Sequence, residues 1–81
     1  MKIRLNTNQY DFLKQHLSTE RNDLFKYFIN SDHLIFELDA ETAIEVRDWV
    51  GEKMQKVGFD SNYKLNKDGI ILTELEDLLY E

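Results

Sequence analysis

The stretch KLNKDGIILTEL, Lys64 to Leu75, sets oxygen-bearing side chains at the spacing of half a calcium-binding loop. Such a loop needs oxygen ligands at positions 1, 3 and 5, glycine at 6 and a bidentate glutamate at 12. With Gly69 at position 6, Asp68 and Asn66 fill 5 and 3, but position 1 is Lys64, position 12 is Leu75, and Glu74 falls one residue short. A cation there meets a like charge and lacks its strongest ligand, so the stretch reads as the start of a helix. His16 and His33 are the only histidines, and no HExxH or other dense ligand cluster surrounds them. Ser18, Ser31 and Ser61 lie in polar or turn contexts without the flanking glycines of a nucleophile elbow, and cysteine is absent. Paired carboxylates are plentiful, yet an acidic surface supplies them without any cleft. An enzyme is the least favoured class, and the residues imply no cofactor.

Two other groups of residues have no evident structural task. Trp49 lies about 100° around the helical wheel from the centre of the stripe of Val46, Val50 and Met54, which puts it outside the main core. It is either covered by a neighbouring hairpin or the polar segment 60–65, or it anchors a partner, since tryptophan is enriched at binding hot spots. Arg47, at the margin of the same stripe, is expected in a salt bridge at the edge of the core. In the last stretch of chain Lys67 stands against Asp68, Glu74, Glu76, Asp77 and Glu81. Glu76, Asp77 and Glu81 fall in the final turns of a helix, where its dipole disfavours anions. Acids placed against local stability suit a surface that meets a basic partner, which they would also steer. The candidate partner-binding residues are Trp49, Glu74, Asp77, Tyr80 and Glu81.

The elements that must position these residues belong to one domain, 1–81, because a chain of 81 residues has material for a single core. With no cysteine, packing alone must stabilise it, and a reducing compartment suits it. The net charge of −6, from 10 basic and 16 acidic side chains, opposes attraction to nucleic-acid phosphates and anionic lipid. The N-terminal MKIRLNTNQYDF has no apolar run of a signal peptide, and no stretch reaches the roughly 18 apolar residues of a membrane span. A cytoplasmic protein without direct nucleic-acid or membrane contact is expected.

Three similar phrases punctuate the chain: LNTNQY from Leu5, LDAETA from Leu38 and LNKDGI from Leu65. In each, Asn or Asp can accept a hydrogen bond from an unpaired N–H of a helix's first turn, and the preceding leucine can staple onto the residue five positions later. The staple pairs are Leu5 with Tyr10, Leu38 with Ala43 and Leu65 with Ile70. Three helices are thus expected, from about residues 7, 40 and 67. The central one spans 40–57: Ala43, Val46, Val50, Met54 and Val57 form one apolar stripe, Lys53 and Lys56 suit its C-terminal end, and Gly58 can close it in the left-handed conformation. Ile71, Leu72, Leu75, Leu78 and Leu79 share a face of the last helix, where Gly69 is a mild liability in the first turn. Tyr10, Leu13 and Leu17 share a face of the first.

Strands are expected at Lys2–Leu5 and Leu34–Leu38, with Leu34, Phe36 and Leu38 pointing one way. The segment DLFKYFIN, Asp23 to Asn30, reads either as a strand paired with 34–38 across the turn NSDH or as a short helix burying Leu24, Phe25, Phe28 and Ile29. The strand is favoured, because aromatic residues suit strands and NSDH is good turn chemistry. The fold class is α+β, with three helices and a two- or three-stranded antiparallel sheet.

The segment VRDWVGEKMQKVGFDSNYKLNKDGIILTELEDLLY, Val46 to Tyr80, resembles the C-terminal part of small acidic proteins from bacteria and their phages. In these a helix ends in a Val-Gly-Phe-Asp turn and a Tyr-x-Leu segment leads to an acidic last helix. The resemblance covers under half the chain and implies a small intracellular module, with no activity or cofactor attached. Together the readings point to a noncatalytic protein-interaction module, a regulator or inhibitor presenting an acidic C-terminal helix to a protein with a basic surface. A homodimeric structural protein and a nucleic-acid mimic filling a basic groove are the alternatives.

Overall fold

A computed structural model describes residues 1–29 and 33–80. The turn expected at NSDH falls mostly outside these residues, as does Glu81. In chain order the elements are β1 (Lys2–Arg4), α1 (Thr7–Phe12), a π-helical segment (Leu13–Leu17), α2 (Ser18–Glu20), α3 (Asn22–Phe25), a 3₁₀ turn (Lys26–Phe28), β2 (Ile35–Glu37), α4 (Ala40–Val57) and α5 (Lys67–Leu79). The class is α+β, a small compact domain with a two-stranded antiparallel sheet. Among the described residues there are four helical stretches rather than three, because α1, the π segment and α2 form one rod and α3 with its 3₁₀ turn adds another. None of these helices is long and apolar enough to cross a membrane.

Each expected helix start is present. The Asn6 side chain accepts from Gln9 N at 2.8 Å, Asp39 Oδ1 from Thr42 N at 2.7 Å, and Asn66 Oδ1 from Gly69 N at 2.8 Å. At α1 the Gln9 side chain returns the bond, accepting from Asn6 N at 3.0 Å, which satisfies a second free donor and completes a capping box. α4 spans the expected 40–57, bounded by its cap and by the end of its apolar stripe.

Its closure differs from expectation. Gly58 has φ −80°, in the right-handed region, so it is not a left-handed cap. Space decides its identity: a Cβ there would lie 2.7 Å from Met54 O. Gly69, expected to be a mild liability, is held even more tightly, since its Cβ would fall 2.1 Å from the Gly58 carbonyl oxygen. That carbonyl also accepts from Asn66 N at 3.0 Å, and Asn66 Nδ2 donates to Val57 O at 2.6 Å. Asn66 therefore caps α5 with its oxygen and satisfies the end of α4 with its nitrogen, locking the corner between the helices.

The sheet corrects the expected hairpin. β2 pairs with β1, in the register Lys2↔Glu37, Ile3↔Phe36 and Arg4↔Ile35, extended by Leu5 N donating to Leu34 O at 2.8 Å. Residues 22–28 are helical, and the reason is visible in what they bury: Leu24, Phe25 and Phe28 point inward, a one-turn spacing that an alternating strand cannot present to one face. Ile29, where the backbone turns extended, is exposed.

In the first rod, Ser18 N bonds back to Leu13 O, five residues earlier, while the Ser18 hydroxyl donates to Lys14 O and the Thr19 hydroxyl to Gln15 O. The two hydroxyls occupy carbonyls of the widened turn. The core gathers Ile3 and Phe36 from the sheet, Leu13 and Leu17 from the rod, Phe28, Val46 and Val50, and Leu72, Leu75 and Leu79 of α5. Tyr10 is half-buried and stacks on Phe36, with centroids 6.0 Å apart and rings 5° from parallel.

Candidate functional site

An open groove of about 610 Å³ lies between α4 and the C-terminal end of α5. Arg47, Asp48, Gly51, Glu52 and Gln55 line it from α4, at the one-turn spacings that bring residues to one side of a helix, and Glu76 and Tyr80 line it from α5. Gly51 leaves its floor unfilled: a Cβ added there would meet nothing within 4 Å. A mid-helix glycine is a local cost that no contact inside this chain requires. Tyr80 stands beside this floor with 72% of its surface exposed. A smaller hollow of about 160 Å³, lined by Met1, Ala40, Ala43, Ile44 and Leu79, shares Arg47 as its border with the groove.

The electrostatics of the groove are set by three carboxylates and one guanidinium. Asp48 and Glu52 belong to a longer series, Glu41, Glu45, Asp48 and Glu52, which recurs every three or four residues along the side of α4 opposite its buried stripe, with every member exposed. Like charges at this spacing repel along a helix, so local stability does not account for the series. No carboxylate among the described residues lies within salt-bridge distance of Arg47, which corrects the expected ion pair; the guanidinium instead borders the two hollows.

The remaining candidate residues are distributed differently from expectation. Trp49 is buried, 6% exposed, and belongs to the core. Neither a hairpin nor segment 60–65 is what meets it: its indole Nε1 donates to Glu20 Oε1 at 3.3 Å, and its ring lies 6.3 Å from that of Phe12. Lys53 ion-pairs with the same Glu20 carboxylate. The Lys53 hydrogen bond foremost, with a smaller contribution from Trp49, holds that carboxyl below its ordinary range despite some desolvation. The wheel angle was right, but Phe12 of α1 and Glu20 of α2 reach that flank of α4 and extend the core over it.

Glu74 points to the opposite side of α5 from Glu76, its Oε1 accepting from Gln9 Nε2 at 3.3 Å. Asp77 is exposed and does not line the groove, although its carbonyl accepts from Tyr80 N. Of the acidic tail, therefore, Glu76 and Tyr80 meet α4, while Glu74 and Asp77 do not. His16 packs on Phe12, with centroids 4.4 Å apart, and His33 is exposed. In the stretch first read as half a calcium loop, both polar atoms of the Asn66 side chain are taken by backbone groups.

Sequence reasoning assigned the acidity to the tail and passed over the carboxylate series of α4. Its signal was present in the spacing of Glu41, Glu45, Asp48 and Glu52. Gly51 could have been noticed as a glycine inside a strongly marked helix. Compared with known proteins, the chain matches no protein-family model, no curated protein and no solved structure.

Proposed function

We propose that the chain is a noncatalytic protein-interaction module, a small intracellular regulator or inhibitor whose α4/α5 groove receives a basic segment of another protein. The observation that carries this reading is the groove itself, an unfilled hollow floored by Gly51, walled by Asp48, Glu52 and Glu76, and edged by the exposed ring of Tyr80. Apolar contact at Tyr80 supplies affinity, and the carboxylates supply orientation and speed of encounter. Arg47 adds selectivity, because it asks the occupant for one acceptor among its cations. The resemblance of Val46–Tyr80 to small acidic proteins of bacteria and their phages is in keeping with such a role.

The test is affinity capture from the source cell with three proteins: wild type, a groove reversal (Asp48→Lys, Glu52→Lys, Glu76→Lys) and a tail reversal (Glu74→Lys, Asp77→Lys, Glu81→Lys). Loss of capture with the groove reversal and retention with the tail reversal are expected. Equal capture by wild type and groove reversal removes the proposal. The carboxylate series of α4 supports a second reading, a mimic of nucleic-acid phosphates that fills the basic groove of a DNA-binding protein. Its binding must weaken steeply with salt, so an affinity independent of salt removes it.

A further inference from the structure

Two of the three staple leucines, Leu5 and Leu38, are buried in the core, but the third is not. Leu65 is 44% exposed and its staple partner Ile70 53%. Phe59, joined to Leu65 by an isolated antiparallel bridge, is exposed as well. Bridge partners carry their side chains on the same side, so Phe59, Leu65 and Ile70 form one apolar patch at the corner between α4 and α5.

The loop that closes the corner is ordered around Asp60. Its Oδ1 accepts from Asn62 N at 2.8 Å and from Lys64 N at 3.0 Å, its own N–H donates to Lys64 O at 2.8 Å, and its carbonyl accepts from Tyr63 N at 3.0 Å. These bonds hold Tyr63 at φ 60°, a left-handed conformation that costs a residue with a side chain free energy, and leave it 88% exposed. An aromatic ring is thus held out in solvent by a strained turn that contributes nothing to the core. Lys56, Lys64 and Lys67 stand at this corner against Asp60 and Asp68, and Lys67 and Asp68 border a hollow shared with Asp11 of α1.

The corner is apolar and carries three lysines, with Tyr63 held out beside Lys64, where the α4/α5 groove is acidic and unfilled. We infer that the corner of one copy docks in the groove of a second, Tyr63 entering over Gly51 and the lysines facing Asp48, Glu52 and Glu76. The inference rests on the groove being the docking surface proposed above, and it adds a mode of regulation. At high local concentration each groove is covered by a neighbour's corner, and a basic partner must compete for it. Because the two surfaces are different patches of one molecule, the contact is heterologous and builds rings or chains rather than two-fold dimers.

Sedimentation equilibrium from micromolar to millimolar protein tests this. The wild type should exceed the mass of a dimer as concentration rises and return toward monomer with added salt. A corner variant (Tyr63→Ser, Lys64→Glu, Lys67→Glu) and a groove variant (Asp48→Lys, Glu52→Lys, Glu76→Lys) should each remain monomeric, while their equimolar mixture stops at a heterodimer. Gly51→Leu, which fills the groove at a position open to a side chain and favours the helix, should be monomeric with an undiminished melting temperature.

A constant monomer mass for the wild type overturns the inference, as does an inert mixture or a single variant that associates like the wild type. A synthetic helical peptide with lysine at every fourth position separates the two proposals. If the peptide binds the wild type but no self-association occurs, this inference falls and the groove reading stands. If the peptide does not bind either, both fall.

Discussion

The start of α4 and the start of α5 are written in the same local language and end in opposite surroundings. At α4, Asp39 caps and Leu38 lies in the core; at α5, Asn66 caps and Leu65 lies in solvent. The cap depends only on a side chain and the backbone two or three residues on, so both form. Whether the leucine beside it is buried depends on what packs there, and residues 59–65, the loop carrying Leu65, are all exposed. A motif can therefore define a helix start without defining its contribution to stability.

Substituting the two leucines should separate them most widely. Leu38→Ala removes a fully buried side chain and should cost about 2–5 kcal/mol in urea unfolding, whereas Leu65→Ala should cost under about 1 kcal/mol. Equal losses would mean that the α5 corner is packed as tightly as the core.

The two helices also differ in their glycines. Gly69→Ala drives a methyl group into the Gly58 carbonyl, a backbone atom, and should cost about 1–3 kcal/mol. Gly51→Ala adds the same methyl group to open space within a helix and should stabilise by about 0.5–1 kcal/mol. Thermal midpoints moving in opposite directions would check both.

Exchanging the capping residues probes the corner. Asn66→Asp keeps the acceptor for Gly69 N but sets an oxygen against Val57 O where an amide donated, and should cost about 1–3 kcal/mol. Asp39→Asn keeps the bond from Thr42 N, and the other partner of Asp39, the Thr42 side chain, belongs to the same helix, so its neutral-pH midpoint should move less. A smaller loss for Asn66→Asp than for Asp39→Asn would show that the amide donor does not hold the corner.

The smallest effect is in the pH profile. The Thr42 N–H, bonded to Asp39, holds that carboxyl below the ordinary range. Its stabilisation is complete above the unfolded pKa, near about pH 4, and is lost as pH falls through the lower folded value. Asp39→Asn should flatten this part of the acid side of the profile, measured as urea midpoints between about pH 2 and 7. Asn66 does not titrate, so Asn66→Ala should lower the whole profile by a similar amount at each pH.

Much of the architecture was legible because it is local. The three caps, the bounds of α4 and the inward faces of α4 and α5 follow from spacings of three to five residues, within reach of one helical turn. The segment 22–28 was ambiguous because its aromatic residues suit a strand in composition and a helix in spacing, and only contact with the core selects the second. Of the candidate site, Tyr80 was named from the sequence, whereas Glu76 was noted as an acid placed against its helix dipole but was not among the candidate residues. Their companions Asp48, Gly51 and Glu52 were not legible, since a groove exists only where two helices meet.

By itself the sequence determined where three of the four helical stretches begin, where the central one ends, and that the chain is acidic with material for a single core, because these depend on neighbouring residues and on composition. Tertiary structure alone decided that β2 pairs with β1, that Trp49 is buried against Glu20 and Phe12, that Gly69 must lack a side chain where α5 meets the end of α4, and that one staple of three faces solvent. Each of these depends on a contact between different elements, and no local preference encodes which surface arrives.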